Sequence, residues 1–192
     1  MRLRHLALAL LATLLVAACS TSAKTYYYTL QTTETPAVVG ANKTQTSIAI
    51  SALRLPEIVD RPQLVLRSGE TQVLISDNHL WGQSLKSEIT RNLAAHLARD
   101  TGAAQVLLPG QAGVEEANIK IAVDVLRFDS LPGAEATIEA RWSVQKKGEA
   151  KPVTGYALER EAAGASGYDA IVAAHSRALA RLSKDIAATL NP

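Results

Sequence analysis

Ile119-Lys120-Ile121-Ala122-Val123-Asp124-Val125-Leu126-Arg127-Phe128 is the stretch on which the fold turns. Ile119, Ile121, Val123 and Val125 take one phase of a period of two, and Lys120 and Asp124 take the other, so the segment reads as a strand with one buried face. Leu126 and Phe128 fall out of phase, which predicts a bulge near Val125. Leu131-Pro132-Gly133-Ala134 then has the composition of a Pro-Gly turn. Beyond it Ile138, Ala140, Trp142 and Val144 alternate with Thr137, Glu139, Arg141, Ser143 and Gln145. A second turn, Lys146-Lys147-Gly148-Glu149, leads to Val153–Leu158, a third strand of the same meander. The basic trio Lys146, Lys147 and Lys151 reads as part of a solvated turn.

Amphipathic helices flank the meander. On the N-terminal side Trp81, Leu85, Ile89, Leu93 and Leu97 recur every four residues, behind Asp77 or Asn78 as cap and up to Gly102 as stop. On the C-terminal side Ser166-x-x-Asp169 reads as a capping box. Ile171, His175, Leu179, Leu182, Ile186 and Leu190 follow it at helical spacing. Three antiparallel strands between two long helices predict an α+β fold: a mostly antiparallel sheet with both helices packed on one face. Upstream, Ser47–Leu55 reads as a strand ending at Pro56. Leu64–Arg67 and Thr71–Ile75 form a hairpin around Ser68-Gly69-Glu70, and Gln105–Leu108 is a short strand. Tyr26-Tyr27-Tyr28 reads as an edge strand or an interfacial aromatic patch, followed by a Thr-rich loop over Gln31–Thr46.

The start of the chain has a different character. Arg2, Arg4 and His5 precede the eleven-residue run Leu6–Val16, which ends in Ala17 and Ala18. That is the layout of a secretory signal over residues 1–18. Eleven helical residues span only ~16 Å, too short for a hydrocarbon core of roughly 30 Å. Val16-Ala17-Ala18-Cys19 resembles a bacterial lipobox, and Cys19 is the single cysteine of the 192-residue chain. The resemblance implies cleavage before Cys19, a diacylglycerol thioether on its sulfur and an acyl chain on its new amino group. No other cofactor is expected. Ser20 after the cysteine favours sorting to the outer membrane, facing the periplasm. Residues 19–46 then form the lipidated N-terminus, the tether and the first short strand, and residues 47–192 the domain.

Composition narrows the function further. With Arg2 and Arg4 removed, 18 basic residues face 18 acidic ones, which leaves no electrostatic footprint for nucleic acid. One thiol cannot build a disulfide framework or a Cys-rich metal site. His79, His96 and His175 form no His-x-x-x-His pair, and His175 sits on the apolar stripe of the last helix as a core histidine. Gly164-Ala165-Ser166-Gly167 lacks the spacing and the lysine of a phosphate loop, and no Gly-x-Ser-x-Gly elbow occurs. No catalytic residue or metal ligand is assigned, and an enzymatic reading rests on no motif.

Three ordered segments carry a resemblance. Leu55-Pro56-Glu57-Ile58-Val59-Asp60-Arg61-Pro62-Gln63-Leu64-Val65 resembles the proline-bounded segment of the ABC-type transport auxiliary lipoproteins. Asp77-Asn78-His79-Leu80-Trp81-Gly82-Gln83-Ser84-Leu85 is similar to the start of their first helix, and Gly167-Tyr168-Asp169-Ala170-Ile171-Val172 to the start of their last. The chain departs from that pattern at Gly82-Gln83-Ser84, where relatives often carry Ala and Pro. The resemblance implies an accessory lipoprotein of an intermembrane lipid transport system, held to the membrane by its lipid anchor. Its implied partners are a PqiB-like tunnel of MCE domains and, through it, a PqiA-like inner-membrane protein, with a homo-oligomeric ring as the implied assembly. Related lipoproteins serve systems with a separate ATPase and permease. The residues expected at a partner interface are Leu55, Pro56, Asp60, Arg61, Pro62 and Trp81. A lipid carrier with its cavity between sheet and helices is the competing expectation.

Overall fold

The computed structural model describes residues 23–32 and 44–190. The signal segment, Cys19 and most of the Thr-rich stretch lie outside them. The elements are β1 (Tyr26–Tyr28), β2 (Thr44–Arg54), β3 (Gln63–Arg67), β4 (Val73–Trp81), α1 (Leu85–Thr101), β5 (Ala103–Leu107), β6 (Ile119–Leu131), β7 (Glu135–Lys146), β8 (Val153–Ala162) and α2 (Tyr168–Ala188).

The meander forms as its alternation requires. β6 and β7 pair antiparallel from Ile119↔Lys146 to Leu131↔Glu135, and β7 and β8 from Glu135↔Ala162 to Val144↔Val153. The register slips between Val125 and Arg127. This is the expected bulge, and it returns Phe128 and Ser130 to the buried face while leaving Leu126 exposed. Gly133, at φ 73°, closes the β6–β7 turn, with Ala134 N–H donating to the Leu131 carbonyl at 3.1 Å.

The sheet is wider than the meander. Its order is β5-β2-β6-β7-β8, and β2 lies parallel to both β5 and β6. A separate three-stranded sheet has the order β1-β4-β3, with β1 parallel to β4. The longest ladders are antiparallel and the class is α+β, as expected, but both sheets are mixed.

Two helix starts differ from expectation. β4 continues through Asp77 and Asn78 to Trp81, so neither polar residue caps a helix and Trp81 ends a strand. The Asn78 side-chain amide donates to the Lys24 carbonyl at 3.4 Å. Helix α1 begins after Ser84 and stops at Gly102, whose φ of 63° suits only a residue without Cβ strain. The position before α2 is Gly167 at φ 107°, and it provides no side-chain cap, so Ser166 and Asp169 form no capping box.

Both helices cover one face of the large sheet, α1 over β2 and β5 and α2 over β7 and β8. Leu85, Ile89, Leu93 and Leu97 of α1, with Ile171, Leu179, Leu182 and Ile186 of α2, interlock with Ile48, Ile50, Ile121, Ile138 and Val144. Trp142 completes this layer. Its indole N–H donates to Thr189 Oγ1 at 3.2 Å beyond the end of α2.

His175 is a core histidine, as its place on the apolar stripe predicts. Its Nε2 is 2.8 Å from Ser130 Oγ, and its ring stacks on Phe128 at 3.8 Å. Burial holds the imidazole down from 6.5 to about 3, against the opposing pull of the Asp129 carboxylate. Burial also lowers His96; Arg99 and Lys184 act in the same direction, while Asp100 opposes them. The unfolded chain takes up the His175 proton near 6.5 and the folded chain only near 3, so the unfolded state binds more protons between those values. Stability is therefore complete above 6.5 and falls as pH drops toward 3. Urea titrations across this window are expected to show a slope approaching ~1.4 kcal/mol per pH unit from this group. His175→Gln, which does not titrate, is expected to flatten it; an unchanged slope would contradict the assignment.

Candidate partner interface

The proline-bounded segment folds as a turn anchored by one buried side chain. Val59 N–H and Asp60 N–H both donate to the Pro56 carbonyl, at 3.0 and 3.2 Å, and Val59 is buried beneath them. Arg61 N–H donates to the Val59 carbonyl at 2.9 Å. Pro62 has no N–H, but its carbonyl accepts from Trp81 N–H at 2.7 Å. That bond holds the turn beside the junction of β4 and α1.

The result is a cleft of about 270 Å³ lined by Asp60, Arg61, Pro62, Trp81, Gln83 and Ser84, with Leu85 behind them. Trp81 is buried and lies edge-on to Phe128, so it forms the floor of the cleft. Asp60 is exposed at the rim. Arg61 is half-buried, and its Nε is buried without an acceptor among the described residues. Of the residues expected at an interface, Asp60, Arg61, Pro62 and Trp81 meet here. Leu55 and Pro56 are half-buried and do not line the cleft; Leu55 packs against the core. Cys19 lies outside the described residues.

Residues 28–31 are strapped to the same junction. Gly82 N–H donates to the Tyr28 carbonyl at 2.7 Å, and a Cβ at Gly82 would meet Thr29 Cγ2 at 3.1 Å. Leu30 N–H donates to Glu88 Oε2 at 3.2 Å, a carboxylate that also faces Arg91 at 3.6 Å. Gln31 is gripped from both helices: its N–H donates to Ser176 Oγ at 3.0 Å, and its carbonyl accepts from Asn92 Nδ2 at 3.0 Å. The tyrosine run is the edge strand of the small sheet. Tyr26 stacks on His79 at 5.1 Å, His79 stacks on Tyr168 at 3.6 Å, and Tyr28 Oη is 2.6 Å from His79 Nδ1. Burial, and then the Asp169 carboxylate, raise the Tyr28 hydroxyl above its ordinary pKa of 10.0, so it stays protonated.

Sequence reasoning missed a second surface. On the sheet face away from the helices, a trough of about 730 Å³ crosses β2, β6, β7 and β8. Its floor is made by the small residues Ala52, Ala122, Ser143 and Thr154, which are neighbours through the strand registers. Arg54, Asp124, Arg141 and Tyr156 form the next rung, in which Arg141 gives Asp124 two hydrogen bonds of 3.0 and 2.8 Å. The available signal was the small size of the outward-phase residues, but it is readable only once β2 is known to lie beside β6. The space between sheet and helices, where a lipid carrier would need its cavity, is filled by fully buried side chains.

Comparison with known proteins adds to this geometry. A family model described as the ABC-type transport auxiliary lipoprotein component matches residues 28–187. No curated protein matches the chain. A crystal structure of an uncharacterized protein is similar at a TM-score of 0.71 with 17% identity, covering 88% of this chain and 100% of that one. Protein XCC0632 from Xanthomonas campestris is similar at a TM-score of 0.66 with 18% identity, covering 87% of this chain and 94% of its own. At these identities the likeness is one of fold. Among the described residues no helix is long and apolar enough to cross a membrane.

Proposed function

The chain belongs to the ABC-type transport auxiliary lipoprotein family, and from that premise we propose that it is the lipid-anchored, periplasm-facing accessory subunit of an intermembrane lipid transport system. The observation that carries this reading is the family match over nearly the whole described domain, beginning only nine residues after Cys19. In this reading the subunit is PqiC-like and non-catalytic. Acylated Cys19 holds it on the outer membrane, and it docks or caps the end of a PqiB-like MCE tunnel that leads to a PqiA-like inner-membrane protein.

A tether that only raises local concentration needs no new contacts. An adaptor must also fix orientation, and the bonds from Glu88, Asn92 and Ser176 to the tether support that role. They hold Leu30 and Gln31, downstream of the proposed anchor, in a set relation to the cleft. The cleft offers an exposed carboxylate at Asp60 and the half-buried guanidinium of Arg61, both suited to polar groups on a protein partner.

Asp60→Ala combined with Arg61→Ala is expected to lower co-purification of the tunnel protein about tenfold or more, the effect of losing a charge-assisted contact worth ~1.5–3 kcal/mol. The melting temperature is expected not to fall, because the substitutions remove no core contact. Undiminished recovery of the partner would remove the cleft from the interface. A second reading, a lipid carrier, is favoured only by the trough, whose volume is in the range of ligand pockets but which lies open on one side. Phospholipid retained by the protein in native mass spectrometry, and lost on Ala122→Trp, would favour it.

A further inference from the structure

The sheet β1-β4-β3 ends in a surface that neither the cleft nor the trough uses. In β4 the three consecutive residues Val73, Leu74 and Ile75 are exposed at 36, 55 and 37%. Consecutive strand residues point to opposite faces, so this hairpin arm is wet and apolar on both sides, a pattern soluble proteins ordinarily blunt. β1 covers the edge of β4 only from His79 to Trp81, leaving the Val73–Ile75 edge without a strand neighbour from β1. Leu131, exposed at 41%, is beside the arm: Pro132, which follows it, shares a small apolar recess with Leu66, the register partner of Leu74.

The direction of β1 identifies what covers this arm. β1 runs parallel to β4, with Tyr26 opposite His79, so the chain followed back from Tyr26 heads toward the start of β4. At ~3.3 Å per residue, Leu74 lies ~17 Å from His79 in that direction. Between Ala23 and Cys19 the chain reaches at most ~14 Å. A domain of this size is ~40 Å across, so so short a spacer does not let it turn over on its anchor. The end carrying the arm therefore faces the bilayer. On the way lie Tyr26 and Tyr27, exposed at 43 and 67%, with the Lys24 ammonium 5.1 Å from the Tyr26 ring. Tyrosine and lysine are side chains suited to the headgroup level.

We infer that the β3–β4 hairpin arm is a second membrane foot, with Val73, Leu74 and Ile75 resting in the lipid interface beside Tyr26 and Tyr27. The inference rests on the acylation of Cys19 proposed above. Depth is limited by the edge of β4 at Val73–Ile75, which no described strand pairs, and by the polar tip Ser68–Gln72, both of which need water or headgroups as partners, so the arm lies at the interface and does not enter the hydrocarbon. With anchor and foot together, the bilayer is contacted at two points and the domain's tilt is set.

The test uses the full-length acylated protein in vesicles of phosphatidylethanolamine and phosphatidylglycerol. Thioether formation consumes the Cys19 thiol, so Leu74→Cys and, separately, Tyr27→Cys each supply a single site for an environment-sensitive dye. Lys147→Cys is the control, in the β7–β8 turn at the far end of β7 and ~35 Å or more away. Headgroup nitroxide lipids are expected to quench the dyes at 74 and 27 several-fold more than the dye at 147. Equal quenching at 74 and 147 in protein that floats with the vesicles would overturn the foot. It would also leave the arm to a protein partner. Protein that does not float would remove the acylation on which the inference stands, and the inference with it, so the two failures are distinguishable.

Discussion

Gly155→Ala is expected to destabilise the domain by about 3 kcal/mol, the upper part of the overpacking range. Gly155 is the register partner of Trp142, and a Cβ there would lie 2.3 Å from two carbons of the indole and 2.6 Å from its nitrogen. The ring cannot step aside cheaply. It is buried, and its N–H is held by Thr189 beyond the end of α2, so displacing it pushes the second helix off the sheet. For a domain of this size the melting temperature should fall by roughly 6–12 °C. Trp142→Phe in the same chain should recover part of the loss, since a smaller ring leaves room for the methyl group. A double-mutant cycle would read that recovery as coupling. A Gly155→Ala protein as stable as the parent would mean that the indole does not lie over the glycine.

Cys19→Ala is expected to move the protein entirely from the membrane fraction to the soluble periplasmic fraction. Each buried methylene contributes ~0.8 kcal/mol and a single acyl chain gives only marginal attachment, whereas the several chains proposed at Cys19 hold stably. The surface foot, which buries side chains only at headgroup depth, does not replace them. The folded domain should be unaffected, because Cys19 precedes the first described strand. Fractionation and a melting curve on the same variant separate these effects. Retention in the membrane would exclude Cys19 as the principal anchor.

Much of the architecture was legible because it is local. Alternation from Ile119 to Val144 gave β6 and β7, the phase break after Val125 gave the bulge, and the four-residue recurrence of Leu85, Ile89, Leu93 and Leu97 gave α1. What failed depends on distant partners. A parallel and an antiparallel strand show the same alternation, so nothing within Ile48–Leu53 told that β2 would enter between β5 and β6. Trp81 fitted the helical spacing only by coincidence. It ends β4, whose polar Asp77 and Asn78 are tolerated because the small sheet is partly wet. At the second helix the Ser166-x-x-Asp169 pattern lost to Gly167, whose positive φ turns the chain without a capping side chain.

The site was legible to the same degree. The prolines at 56 and 62 bracket a turn that leaves Asp60 exposed and Arg61 half-buried. The turn's contact with Trp81 needed the backbone bond from Trp81 N–H to the Pro62 carbonyl, which no local pattern encodes. Leu55 does not line the cleft because it packs against the core. The trough was out of reach, since its floor joins residues from four strands.

As an adaptor for an MCE-type tunnel, the protein should share one complex with that tunnel. The most direct measurement is in-membrane crosslinking of the C-terminally tagged chain in its native cells, followed by affinity purification and mass spectrometry, with Cys19→Ala alongside. Recovery of an MCE-domain tunnel protein with the acylated chain, and its loss with the variant, is the expected result. A chain that comes out alone, or with an ATPase and a permease but no tunnel protein, would contradict it.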